Sequence, residues 1–378
     1  MEWTSSEELR MLQEMVRSFA EKELRPVARE MDVRAEFRRS LFDKMAELGL
    51  TGINIPEEYG GNGLGYDASI IMLSELARVM PAAATWIGVH QMCATTILKS
   101  GTEEQKRRYL PRLASGEALG AWALSEPGGG TDVAAMVTHA RREADHYVLN
   151  GQKMWITNAG EAELYVVFAK TDLTQGAKGV SAFIIEKGAP GFEFGRLEDK
   201  MGVRASPTRA LLFQDCAVPA EQRLGDEGAG FKVAMQVLDG GRCNNAAVTV
   251  GIARGALEEA VRYAKERMAF GQPISEFQGI QWMLADMATG IETAWALTEK
   301  TAHLLTQGRR VTKLCSMAKY YAADVAMKVT TDAVQIHGGY GYIKEYHVEM
   351  LMRDAKLFQI VEGTNQLHRS IVARHILA

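Results

Sequence analysis

Apolar residues recur at helical intervals from the start of the chain, where Leu9, Leu12, Met15, Val16 and Phe19 line one face behind Ser5-Ser6-Glu7-Glu8, a capping-box spacing. The same period predicts helices over Ser40–Leu48, Ala68–Val79, Trp86–Ser100 and Glu103–Leu110, the last stopped by Pro111. IPEEYGGNGLGY, from Ile55, is too rich in Gly and Pro for regular structure and reads as a loop near a site. Near residue 120 the period shortens to two. Tyr147–Leu149, Asn150-Gly151 and Gln152–Thr157 read as strand, tight turn and strand, and Leu164–Lys170, Val180–Glu186 and Ala210–Asp215 are further strand-like runs. After Gly230 the helical period returns over Phe231–Leu238 and on through Ala246–Met268. Gly271-Gln272-Pro273 interrupts it, Ser275 caps a helix to about Gly308, and another covers Thr312–Ile336. The order predicts an α+β protein without internal repeats: a helical unit over 1–120, a small β-unit over 121–230, and a unit over 231–378 whose long helices pack as a bundle.

Composition alters this picture little. With 378 residues, 47% of them hydrophobic and 24% charged, the chain has material for a large core. A net charge of -4 gives no reason to expect nucleic acid, although an anionic ligand would still need a local basic patch that an average hides. Cys93, Cys216, Cys243 and Cys315 form no CxxC pair and have no His at ligand spacing, and the histidines do not cluster, so neither disulfides nor a metal site is expected. MEWTSSEELRMLQEM lacks the basic and apolar regions of a secretory signal, and no run is long enough to span a bilayer; a soluble cytoplasmic protein without membrane contact is expected.

Candidate chemistry is densest in Gln335–Arg369. Glu362 lies between Ile360-Val361 and Gly363, a carboxylate on a bend beside apolar neighbours that raise its pKa and suit it to act as a base. An exposed Glu leading into a helix is the other reading. Gln335-Ile336-His337-Gly338-Gly339 ends a helix on residues that permit close backbone approach, and Arg353-Asp354-Ala355-Lys356 offers an ion pair that fixes local structure. Ser125-Glu126-Pro127 followed by three glycines, Thr131 and Asp132 could hold a phosphate or a polar ring edge, or could be a flexible turn. No GxGxxG opens a helix after a strand, which disfavours a nicotinamide-dinucleotide site. Gln278 stands at capping-box spacing from Ser275, and Asp239 and Arg242 form a helix-face pair, both explicable without a ligand.

QIHGGYGYIKEY, MRDAK and EGTNQ closely resemble the C-terminal signature of the acyl-CoA dehydrogenase family, and the resemblance extends in order over essentially the whole chain. It implies that family's fold, an N-terminal α-helical domain, a small middle β-domain and a four-helix-bundle-like C-terminal domain, with FAD as cofactor and an acyl-CoA as substrate. SEPGGGTD is similar to the family's TEPGAGSD: Ser125 would bond the pyrimidine side of the flavin, Thr131 would face both cofactor and CoA, and Trp122, Leu124 and Gly130 would lie beside the ring. Trp155-Ile156-Thr157 matches WIT, whose Trp lies against the flavin and whose Thr reaches toward N5; a Trp on a strand is otherwise most often plain core. ERMAFGQPISEFQ is similar to ERxxFGxPxxxxQ, implying Arg267 at the pyrophosphate and Phe270 and Gln278 at the adenosine half from a neighbouring subunit. Gln335, Gly338, Gly339, Thr364 and Gln366 are cofactor contacts by the same match. LDGGR resembles LDxxR, implying that Asp239 and Arg242 bind CoA, with Val361 and Gly363 bordering the substrate.

Some branched- and long-chain relatives carry their base just before that Arg; here the position is Gly241, so the base is assigned to Glu362. The implied reaction is abstraction of the pro-R α-proton by Glu362 while the β-hydrogen leaves as hydride to flavin N5, giving trans-2-enoyl-CoA. The base's own N–H and a ribityl hydroxyl would stabilise the enolate-like charge. Electrons would pass to an electron-transferring flavoprotein, and a homotetramer, a dimer of dimers, is implied. The residue before the base, often Tyr in straight-chain members, is Val361, which implies a pocket tolerant of branched or cyclic acyl groups. Ala84 stands where glutaryl-type members place a carboxylate-binding Arg. His337 is a packing variant or a flavin neighbour, and His90 a cavity or structural residue. An enoyl-CoA reductase, an acyl-CoA oxidase and a non-catalytic acyl- or flavin-binding protein remain open.

Overall fold

A computed structural model describes residues 6–378, so Ser5 and the capping arrangement expected of it lie outside the described residues. Six helices come first: α1 (Glu7–Phe19), joined by a π-helical turn to α2 (Arg25–Arg34), then α3 (Arg39–Glu47), α4 (Gly65–Ala77), α5 (Pro81–Ser100) and α6 (Glu103–Ala114). Thr102 and Gln105 form a full capping box at the start of α6. Contrary to the sequence expectation, α6 continues through Pro111: the proline falls in the last turn, and Tyr109, Leu110 and Leu113 around it are buried, so packing outweighs one lost backbone bond.

The middle unit supplies β1 (Gly120–Ala123), β2 (His139–Glu143), β3 (His146–Thr157), β4 (Leu164–Lys170), β5 (Val180–Glu186), β6 (Phe192–Phe194), β7 (Thr208–Pro219) and β8 (Arg223–Leu224). They form one sheet in the order β6-β7-β3-β2-β4-β5-β8, with β1 parallel to β4. The expected Asn150-Gly151 turn is instead a bulge within β3, which pairs with β7 on both sides of it. The Asn150 side chain exchanges two hydrogen bonds with Asp215, at 3.0 and 2.9 Å. Gly151, at φ +137, lies so close to Thr138 that a Cβ would come within 2.6 Å of its hydroxyl. The dipeptide's backbone freedom is spent on the bulge, because β7 offers the strand a partner across it.

The last unit contains α7 (Gly230–Glu266), one helix of 37 residues, a hairpin of β9 (Met268–Ala269) and β10 (Gln272–Pro273), then α8 (Gln278–Thr306), α9 (Thr312–His337), α10 (His347–Leu357) and α11 (Asn365–Leu377). α7 and α9 lie along each other, α8 packs on both, α11 on α9, and α4 and α5 close over α7 from the first unit. The cap of α8 is Phe277, without a side-chain bond, after a 3-10 turn over Ile274–Glu276. Ser275 therefore does not cap this helix, and the structural explanation of Gln278 falls.

Two charged clusters lock the units together. Glu75 of α4, wholly buried, accepts from Gln13 at 2.7 Å, Arg17 at 3.1 Å, Arg78 at 3.2 Å and, across on α7, Arg254 at 3.0 Å. On α10, Arg353 binds Asp32 and Glu349, each at 2.7 Å, while buried Asp354 accepts the Val203 N–H of the middle unit. Among the described residues no helix is long and apolar enough to cross a membrane.

Candidate active site

Glu362 stands on the bend between α10 and α11 at φ +54, followed by Gly363 at φ +96. A left-handed non-glycine residue costs on the order of 1 kcal/mol or more and persists only where its surroundings enforce it. Here Asn365 N–H closes the bend on Gln359 O at 3.1 Å, and Thr364 Oγ1 caps α11 by accepting Leu367 N–H at 3.2 Å. His368 Nε2 donates to Glu362 O at 3.1 Å, and Lys319 Nζ to Gly363 O at 2.7 Å. The backbone bonds that close the bend leave the Glu362 N–H out. The residue as a whole is half-buried, yet its Oε2 is cut off from solvent and meets no hydrogen-bond donor. Burial pushes the carboxyl up to about 7, against the pull of Lys319 and Arg242. A carboxyl so placed can exchange a proton near neutral pH.

The facing wall is α7. A Cβ at Gly241 would lie 2.6 Å from Glu362 Oε2 and 3.3 Å from Met92 Sδ, so the Glu362 carboxyl occupies the space a side chain there would fill. Arg242 pairs with Asp239 at 3.0 Å, as a helix-face pair should, while its Nε is buried without a partner; Thr312 Oγ1 donates to Asp239 at 2.6 Å. Val361 is half-buried against the core. The turn before Thr312 carries Arg309 and Arg310, and Lys313 follows in the first turn of α9; all three are exposed, and none is in an ion pair among the described residues. These three side chains concentrate positive charge near the Asp239–Arg242 pair. His90 is buried, accepts Gly120 N–H at 3.0 Å on Nδ1, and is pushed down to about 4 by burial, which marks a structural histidine.

A second group gathers on the β-unit. Met154 N–H donates to Ser125 O at 2.9 Å, which sets the SEPGGGTD loop beside Trp155. Trp155 sits at φ +64 where β3 slips register against β7, and its side chain is 60% exposed. A strained bulge that displays an indole to solvent is the opposite of a core tryptophan. Thr131 and Gly130 are exposed on the loop and Thr157 is half-buried. Leu124 and Ile156 turn their side chains into the core, and the indole N–H of Trp122 is taken by Thr96 at 3.1 Å, so these three offer a ligand mainly backbone. The loop is held by a buried pair absent from the sequence reading: Lys153 Nζ meets Glu126 at 2.8 Å, and Glu126 also accepts Val137 N–H at 2.7 Å and Thr138 N–H at 3.0 Å.

A third group lies apart. Arg267, Gly338 and Gly339, with Tyr263, His337 and Tyr340, line a cavity of about 460 Å³ to which Ser125, Trp155 and Thr157 do not contribute. His337 both packs and lines: it stacks on Tyr263 at 4.3 Å and bonds Ala333 O at 2.8 Å. Gln335, Gln278 and Gln366 are exposed. Phe270 occupies the tip of the β9–β10 hairpin at φ +49 with Gly271 at φ +83, the pair of left-handed residues a type I′ turn requires, and it is 97% exposed. A displayed indole flanked by hydroxyls in one group, and a guanidinium beside two glycines with open space in the other, fit the planar ring and the diphosphate of FAD, and the two groups share no lining residue.

Comparison with known proteins finds three matching family models: acyl-CoA dehydrogenase N-terminal domain over residues 6–117, middle domain over 121–216 and C-terminal domain over 228–377. "Acryloyl-CoA reductase (NADH)" of Anaerotignum propionicum is 47% identical over 379 residues, spanning 100% of this chain and 96% of that one. "Acyl-CoA dehydrogenase, short-chain specific" of Clostridium acetobutylicum is 47% identical with both chains fully covered. A chain of the solved structure described as "Electron transferring flavoprotein of Acidaminococcus fermentans: Towards a mechanism of flavin-based electron bifurcation" is 50% identical, with full coverage of both chains and a TM-score of 0.98.

Proposed function

Because the chain belongs to the acyl-CoA dehydrogenase family of FAD-dependent oxidoreductases acting on CH–CH groups, we propose that it desaturates a short or branched acyl-CoA to the trans-2-enoyl-CoA, with Glu362 as the base. The observation that supports this most is the buried, unpartnered Oε2 of a carboxyl held on a strained bend. An α-carbon is too weak an acid to lose its proton unaided. The Glu362 N–H, left out of the bend's own bonds, would donate to the thioester oxygen and stabilise the enolate-like charge as Glu362 takes the proton. Asp239 and Arg242, with Arg309, Arg310 and Lys313 nearby, suit the phosphates and pantetheine of CoA.

Bound FAD supplies the acceptor for the β-hydrogen. Ser125, Thr131, Trp155 and Thr157, with backbone from Trp122, Leu124, Gly130 and Ile156, would hold its ring, and Thr364 and Gln366 would border it. Arg267, Phe270, Gln278, Gln335, Gly338 and Gly339 would hold the remainder from a second copy of the chain. That the two groups share no lining residue, and that Phe270 stands exposed, support that division, and the copies would assemble as a homotetramer, a dimer of dimers. The neighbour described by its electron-transferring flavoprotein supports such a partner as electron acceptor. The relative named acryloyl-CoA reductase supports a second reading, the reverse direction, in which protonated Glu362 returns the α-proton; a carboxyl titrating near 7 serves either.

The test is the visible spectrum of the purified protein, followed anaerobically as butyryl-, isobutyryl-, octanoyl- and a cyclic acyl-CoA are added. Bleaching of the flavin band by one of them, absent in Glu362→Gln, is expected. A flavin that no saturated thioester reduces directs the reading to the reductive direction, and failure to take up FAD at all overturns it. Val361→Tyr is expected to lower kcat/KM for isobutyryl-CoA relative to butyryl-CoA by about tenfold, the scale of steric discrimination in an apolar pocket; an unchanged ratio rejects the wide-pocket reading.

A further inference from the structure

Lys319 lies within α9, wholly buried, and the proposed reaction has not used it. Its Nζ donates to Gly363 O at 2.7 Å and Asn365 Oδ1 at 3.1 Å, both on the bend just past the base. Asp324, farther along α9, takes the other side: Gln359 Nε2 and Asn365 Nδ2 both donate to its Oδ1 at 2.8 Å. The bend is thus straddled by two side chains of one helix. Among the described residues Lys319 has no carboxylate in ion-pair contact. A buried cation without a counter-ion costs several kcal/mol, and a neutral donor would tie the bend as well, so the charge itself calls for a reason.

The groups facing the Glu362 carboxyl supply it. From α7 comes Arg242, whose charge is already committed to Asp239. From α11 comes His368, which burial pushes down to about 3, so that it donates to Glu362 O as a neutral ring. From α5 comes Met92, uncharged. Lys319 is the uncommitted cation. We propose that Lys319 is a positioning residue for the reaction: from α9 it fixes the bend that presents Glu362 and provides the buried positive charge beside which that carboxylate ionises. This rests on Glu362 being the base. The reciprocal effects agree: burial pushes Lys319 down to about 8 while Glu362 opposes it, and Lys319 stands ahead of Arg242 in pulling Glu362 down.

The experiment is the pH profile of kcat/KM for the reducing thioester, measured on FAD-loaded Lys319→Met and Lys319→Arg. In Lys319→Met the acidic limb is expected to move up by about one pH unit, so that the rate at pH 7 falls about fivefold and recovers by pH 9, with KM within about twofold of wild type. Lys319→Arg, which keeps the charge, is expected to restore the limb. If Lys319→Met does not accumulate as folded holoenzyme, Lys319→Gln keeps a donor and removes the charge, with the same shift expected. A reading independent of turnover is the pH at which Lys319→Gln and the double variant with Glu362→Gln diverge in thermal stability; it is expected to rise likewise. A limb unmoved in both neutral variants, with Glu362→Gln inactive, overturns the role of Lys319 alone, whereas full turnover in Glu362→Gln overturns the base assignment and this proposal with it.

Discussion

Glu362→Gln is expected to lower kcat/KM by about 10²–10⁴-fold, the usual contribution of a positioned general base, while FAD remains bound. Glutamine matches glutamate in shape and meets the same backbone constraint at φ +54, so the bonds from Lys319 and His368 to the bend are left in place. What is lost is a basic oxygen at the position of Oε2. Wild-type kcat/KM should rise with pH along a limb near 7, set by burial against the pull of Lys319 and Arg242. Stability moves the opposite way. A carboxyl raised above its unfolded value favours the protonated form in the folded state, so stability is undiminished below the unfolded value near 4 and is lost as pH rises toward 7. Glu362→Gln removes that loss: it should be more stable than wild type at pH 8, on the order of 1–2 kcal/mol after discounting for a half-buried residue, and no more stable at pH 4. Thermal melts of the two proteins at both pH values check this; a glutamine variant no more stable at pH 8 refutes the buried-acid description.

Glu75→Ala should have the largest effect on stability, a loss of about 3 kcal/mol, because it removes the wholly buried carboxylate on which Gln13, Arg17, Arg78 and Arg254 converge, although Arg78 keeps its pairs with Glu21 and Glu258. The variant leaves Arg78 and Arg254, 4% and 3% exposed, around an empty site, and frees Gln13 and Arg17 of α1 from α4. Burial would raise the Glu75 carboxyl, but Arg254, Gln13 and Arg17 outweigh it and hold the group below its ordinary value. Its contribution is therefore present above the unfolded value near 4 and disappears as pH falls through the lower folded value. Urea midpoints at pH 7 and pH 3 should differ strongly in wild type and less in Glu75→Ala. Equal midpoints for the two proteins at pH 7 would show that the cluster stabilises nothing.

Much of this architecture was legible because it rests on local signals. Period changes near 120 and 230 follow the switch between packing against a sheet and packing in a bundle, and Glu362 announced itself by apolar neighbours and a glycine. What escaped was long-range. Asn150-Gly151 has the chemistry for a reversal, and only β7 running past it decides for a bulge. Pro111 stops a helix unless three buried neighbours hold it. Lys153 and Lys319 look like solvated positions on a strand and a helix; that each is buried to pin a loop depends on Glu126 and Gly363, 27 and 44 residues away. The positive φ of Trp155 has no sequence signal at all, since nothing about an indole favours the left-handed region.

The 2.6 Å between the Gly241 Cβ position and Glu362 Oε2 makes two distant codons share a single volume. A side chain at 241 evicts the carboxyl from 362, and a shortened residue at 362 leaves glycine at 241 facing a void. An evolutionary line that moves its carboxylate between this bend and helix α7 thus crosses either a doubly occupied, clashing intermediate or an empty one. Positions 241 and 362 should behave as strongly epistatic partners, each intolerant of change singly and permissive only when both change together.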